Sequence, residues 1–202
     1  MSLARRDVSQ WIIIMIGIVN TTALGTESMF IIDDRSSGTL ESSVGTSWRL
    51  VTDGVMGGMS KGTLRLDTVE GRACLRLEGE VTLENNGGFI QTALDIGERE
   101  AIDVSSYAGL EFAVYGNNES YNVHLRTGDM RMPWQSYRST VFVSDSWQTV
   151  RLPFDAFSPH RTSAPLNLSR LKRIGLVAIG KPFHADVCLG GVALYKNTTA
   201  SK

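Results

Sequence analysis

Apolar residues at every second position, interrupted every few residues by Gly, Asn, Asp or Ser, recur along most of this chain and constrain it to a β fold. Leu64/Leu66, Ala73/Leu75/Leu77, Leu110/Phe112/Val114, Val123/Leu125, Val150/Leu152 and Phe183/Ala185/Val187/Leu189 all follow that period, which sends alternate side chains to opposite faces of a strand. Groups such as Gly116-Asn117-Asn118 and Ser144-Asp145-Ser146 separate the runs and favour turns, because Gly and Asn tolerate positive φ while Asp and Ser bond to nearby backbone. Helical periodicity is nearly absent; Leu166 to Leu171 has room for one short turn, with Asn167 or Ser169 as its cap. Closing or doubling a sheet limits exposed edges, so about ten short strands in one domain predict two packed antiparallel sheets. The expected fold is an all-β, jelly-roll β-sandwich.

With 202 residues, of which 42% are hydrophobic, the chain has material for one well-buried domain. That domain is expected over 29–196, with 197–202 as a tail. Residues 1–25 read differently. Arg5 and Arg6 precede an apolar stretch from Trp11 to Val19 and then small residues at Ala23 and Gly25, the layout of a secretory signal and too short to span a bilayer comfortably. Export is the expected location, with a mitochondrial presequence as the alternative. Cys74 and Cys188 are too few for a disulfide framework, and both alternate with apolar neighbours so as to face away from them. Free thiols are expected, and a bridge requires that the two strands be neighbours.

Two glycine-rich blocks stand out, Asp53-Gly54-Val55-Met56-Gly57-Gly58 followed by Ser60, and Glu84-Asn85-Asn86-Gly87-Gly88-Phe89. Both read as corners of a sheet, and neither has the spacing of a phosphate-binding loop. Trp48, these two blocks, Tyr107-Ala108-Gly109-Leu110, Tyr121 to Arg126, Trp147 to Phe154, Phe157, Ile174-Gly175-Leu176 and Phe183 to Val192 form an ordered series. In that order they resemble the complex I intermediate-associated protein 30 family, over roughly Met29 to Tyr195. The resemblance implies a galactose-binding-domain-like fold, also seen in many carbohydrate-binding modules. It also implies a non-enzymatic role in assembling the respiratory NADH:ubiquinone oxidoreductase by holding membrane-arm intermediates. Fold alone carries no function.

The residues offer little chemistry of their own. Twenty Lys plus Arg against 21 Asp plus Glu lack the basic excess that a phosphate backbone requires, so nucleic acid is not an expected partner. Arg170 to Arg173 reads as a solvated turn before a core strand. His124, His160 and His184 stand in no catalytic motif, with His160 expected in an exposed loop, and no cysteine has a zinc-ligand spacing, so neither catalytic residues nor a cofactor is assigned. Asp33-Asp34 is expected to end the first strand. Candidate contact residues are Asp53 and Met56 in the first glycine block, with two readings. In one, the loop and an exposed Met56 touch a partner protein; in the other, Asp53 caps the turn while Met56 packs beneath Trp48. Asn85 and Asn86 are candidates in the second block. A further surface follows from parity: Val123 and Leu125 point inward, so Asn122, His124 and Arg126 point outward, with Trp134, Gln135, Tyr137 and Arg138 arriving next. Such a polar and aromatic face can anchor a protein or stack on a sugar. The expected function is a protein-binding, assembly-factor-like domain; the alternative is a carbohydrate-binding module of an exported protein.

Overall fold

The computed structural model describes residues 29–97 and 100–197, and in these the alternating runs fold into two antiparallel sheets of six strands each. The signal-like segment and all but the first residue of the tail lie outside the described residues. The first sheet holds β1 (Phe30–Asp33), β3 (Lys61–Val69), β4 (Arg72–Val81), β6 (Gly109–Gly116), β9 (Gln148–Pro153) and β12 (Phe183–Tyr195). Its order is β3-β4-β12-β6-β9, and β1 pairs with β12 beyond the stretch that β4 occupies. The second sheet runs β10 (Ser158–His160), β8 (Ser136–Val143), β7 (Glu119–Thr127), β11 (Leu171–Ile179), β5 (Phe89–Asp95) and β2 (Arg49–Thr52).

Period-two alternation sends one face of each sheet into a shared core. Leu75, Leu77, Leu110, Phe112, Val114, Val187 and Leu189 of the first sheet meet Ile90, Leu94, Val123, Leu125, Ile174 and Leu176 of the second. On β12 the register slips between Leu189 and Val192, so the inward positions change parity and Val192 and Leu194 continue the core, as a bulge allows. Tyr121 crosses the sandwich: its hydroxyl accepts from the Asp186 amide at 2.9 Å and donates to Asn117 Oδ1 at 2.7 Å. A short 3-10 turn at Leu168–Arg170 is capped by the Asn167 side chain, as the sequence predicts.

The cysteines correct an expectation. β4 and β12 are adjacent, and Cys74 and Cys188 form a disulfide with Cα atoms 5.5 Å apart. They do point away from the core, yet both are buried. Asp33 does end β1, as expected, where it is ion-paired with Arg35 and accepts from Trp48 Nε1 at 2.6 Å.

Candidate functional site

Both glycine blocks are passages from one sheet to the other. The chain leaves β2 in the second sheet through Asp53–Met56, a 3-10 turn, and enters β3 in the first. It returns from β4 to β5 through Glu84–Phe89. Asp53, fully buried, joins the two corners. Its Oδ1 accepts from the Ser60 amide at 3.0 Å, and its Oδ2 from the amides of Gly88 at 2.6 Å and Phe89 at 3.2 Å and from the Ser60 hydroxyl. Burial alone would raise the pKa of this carboxyl, but the donors from Ser60, Gly88 and Phe89 outweigh it and hold the group below its ordinary value. The glycines are what Asp53 needs around it: a Cβ on Gly58 would stand 2.4 Å from Asp53 Cγ, and one on Gly87 2.5 Å from Oδ2. On this rigid base sits an apolar lip, with Val55 75% and Met56 54% exposed and Met59 and Leu83 also open to solvent.

The outer face of the second sheet is of another kind. Across one row, the register aligns Arg138 on β8, His124 on β7, Gly175 on β11, Ala93 on β5 and Arg49 on β2. The next row aligns Arg126, Arg173 and Asp95, and on β8 Ser136 stands opposite His160 of β10. Asp95 bonds Arg173 Nε at 2.6 Å and Arg49 at 2.8 Å. Arg126 donates to the carbonyls of Pro133 and Gln135, at 2.5 and 2.9 Å, tying the β7–β8 loop to the sheet. Arg138 donates from Nε to Ser136 Oγ at 2.9 Å.

This face is partly desolvated and electropositive. Burial, then Arg138 and His160, push the His124 imidazole down to about 3. Burial and the neighbouring Arg173 lower Arg126, although Asp95 partly opposes this; burial and Arg161 lower Arg138. His160 is lowered by burial, Arg138 and Arg161. His124 is only 9% exposed, and its Nε2 is buried with no hydrogen-bond partner among the described residues.

The structure therefore sorts the candidate residues. Asn122, His124, Arg126 and Arg138 share one face, with Trp134, 47% exposed, in the loop at its rim. His124 is buried rather than solvated. Tyr137 leaves the set: it points into the core, and its hydroxyl donates to the carbonyls of Ala164 and Pro165. Asp53 cannot touch a partner because it has no exposed surface. Met56 does not pack beneath Trp48, which is buried in the core. Asn85 and Asn86 lie exposed at the second corner, both at positive φ. Sequence reasoning missed Arg49, Gln91, Asp95 and Gly175; it also assigned Arg173 to a turn and His160 to a loop, whereas both lie in strands. Parity within β5 and β11 would have placed Gln91, Asp95 and Arg173. Among the described residues, no group of three or more His, Cys, Asp or Glu is placed to hold a metal ion.

A family model described as complex I intermediate-associated protein 30 matches residues 39–187. No curated protein sequence matches this one. Among solved structures, the chain is similar to a family 11 carbohydrate-binding module from Clostridium thermocellum in complex with a β-1,3-1,4-mixed-linked tetrasaccharide. The TM-score is 0.66 at 13% identity, covering 85% of this chain and 97% of that one. It is also similar to the family 30 carbohydrate-binding module of a cellulosomal cellulase of the same organism, with a TM-score of 0.55 at 18% identity, covering 71% and 89%. At such identities the likeness shows the fold, a jelly-roll β-sandwich.

Proposed function

Because the chain belongs to the complex I intermediate-associated protein 30 family, we propose that it is a non-enzymatic protein-binding domain that acts as an assembly factor for a respiratory membrane complex. The observation that carries the reading is the Asp53-stapled pair of family motif loops and the apolar lip they present. Exposed valine, methionine and leucine on a base fixed by buried hydrogen bonds can dock on an apolar partner surface with little ordering cost. Pull-down of the tagged protein from gently solubilised membranes, with mass spectrometry, is expected to enrich respiratory-complex subunits. Loss of that enrichment is expected in the Val55→Ser/Met56→Ser variant, whereas recovery of no such subunits by the wild-type protein refutes the reading.

We place the domain in an oxidising compartment outside the cytosol, reached through the signal-like N-terminus. What supports this is the Cys74–Cys188 bridge, since structural disulfides persist where thiols are not kept reduced. N-terminal sequencing of the mature protein checks it; an intact Met1 contradicts cleavage. A carbohydrate-binding role is the second reading, favoured by exposed Trp134 beside the polar sheet face. A glycan array without binders removes it.

A further inference from the structure

We infer that the outer face of the second sheet binds carboxylates, and that its ligand is an acidic peptide segment of a partner protein. The choice of a protein ligand rests on the reading proposed above; the chemistry rests on the face itself. Arg49, Arg126, Arg138 and Arg173 point to the same side, and Asp95, the carboxylate set among them, is bonded to Arg49 and Arg173. Arg126 and Arg138 make no ion pair among the described residues: Arg126 is held by carbonyls and Arg138 by a hydroxyl. Arg161 adds a further cation next to Arg138 and His160.

The first sheet shows how this protein ordinarily treats surface charge. There Arg76 bonds Asp186 and Asp67, Arg65 bonds Glu78, and Arg151 bonds Glu111. Charges of both signs meet on that face; on the second sheet cations are left in excess. Half-buried arginines that lack counter-charges are relieved by an anion, and a guanidinium with free terminal nitrogens grips a carboxylate in a planar fork. Arg138 is already oriented through its Nε by Ser136, which leaves its terminal nitrogens for that fork.

His124 is the independent observation. Buried polar atoms in folded proteins are nearly always partnered, yet Nε2 of His124, a residue more than nine-tenths buried and directly opposite Arg138 in register, has no partner among the described residues. As an N–H donor it would complete a carboxylate site with the Arg138 fork. Gly175, beside His124 in register, carries no side chain, and the Gln91 amide lies over it: a Cβ there would stand 2.6 Å from Gln91 Nε2, which adds another donor nearby. A neutral glycan would leave the cations uncompensated, and no row of aromatics lies among the outward residues of these strands to stack on it.

The test is fluorescence anisotropy on the full-length protein with a labelled oligoglutamate peptide, its oligoglutamine counterpart, and polygalacturonate as competitor. Oligoglutamate is expected to bind, oligoglutamine not. Affinity should weaken about tenfold in Arg138→Gln, the loss of one charge-assisted contact, and should fall with added salt. Arg161→Asn, at an exposed residue with positive φ where Asn is well tolerated, gives a second variant should Arg138→Gln fail to fold; it too should weaken binding. Lys61→Gln, on the other sheet, should not. Absence of oligoglutamate binding overturns the inference, as does binding that none of the face variants weakens. Polygalacturonate binding without oligoglutamate binding also overturns it, by assigning the face to an acidic glycan. Failure of the assembly reading is separable: oligoglutamate would then bind this face while the pull-down recovers no respiratory subunits. Recovery of subunits equally well by the wild type and by Arg138→Gln would instead sink this inference and spare that reading.

Discussion

A single carboxylate joins the two family motifs. Asp53 receives three backbone amides and a hydroxyl, and its replacement by Ala strands the three buried amides. Unmet buried donors each cost about 1–3 kcal/mol, so Asp53→Ala is expected to lose roughly 3 kcal/mol or more in urea denaturation. A loss under about 1 kcal/mol would mean that water replaces the carboxylate. His124 gives a prediction with a sign. Its folded pKa lies below the ordinary 6.5, so at intermediate pH the unfolded chain binds the extra proton and stability rises with pH. The contribution is whole above about 6.5 and is lost as pH falls toward the folded value, by up to about 1.4 kcal/mol per pH unit. His160 shifts in the same direction, whereas the lowered carboxylates Asp53 and Asp95 act only below their unfolded value near 3.8. Thermal melts between these limits should show a shallower acid loss in His124→Gln than in wild type; identical slopes would contradict a neutral buried imidazole. Sequence parity correctly turned His124 away from the core, but it lies between β8 and β11 with Arg138 directly opposite it in register, and such cross-strand surroundings are in no local pattern.

At the scale of elements, the alternating runs and the turn groups between them were enough to foresee strands in two packed sheets. Parity failed where alternation fades: Tyr137 is flanked by Gln135, Ser136, Arg138 and Ser139, so nothing before Val141 marks its face as the inner one. The disulfide was hidden for a different reason. The cysteines are 114 positions apart, and only the pairing of β4 with β12 brings them together. Closing so long a loop stabilises by restricting the unfolded chain, and losing such a bridge costs about 2–5 kcal/mol. The Cys74→Ser/Cys188→Ser double variant, compared with wild type by calorimetry, should melt well below it. Melting at the same temperature with and without reductant would show that the bridge contributes nothing. The glycines of the two corners were legible as bends, but their reason, room for the Asp53 carboxylate, required the two corners side by side.

On the scale of the whole molecule, the two outer surfaces and the corner lip differ in character. One sheet face has its charges matched, the other keeps cations in excess, and the lip gathers exposed valine, methionine and leucine. A partner that is apolar at one contact and acidic at another fits this arrangement, and the family to which the chain belongs supports looking for it among the subunits of a respiratory membrane complex. The most direct measurement is site-specific photo-crosslinking in the source membranes, with the photoreactive residue at position 56 on the lip and, for comparison, at position 65 on the charge-matched face. The account predicts a covalent adduct with a respiratory-complex subunit from position 56 and none from position 65. Adducts from both positions alike, or from neither, would contradict it.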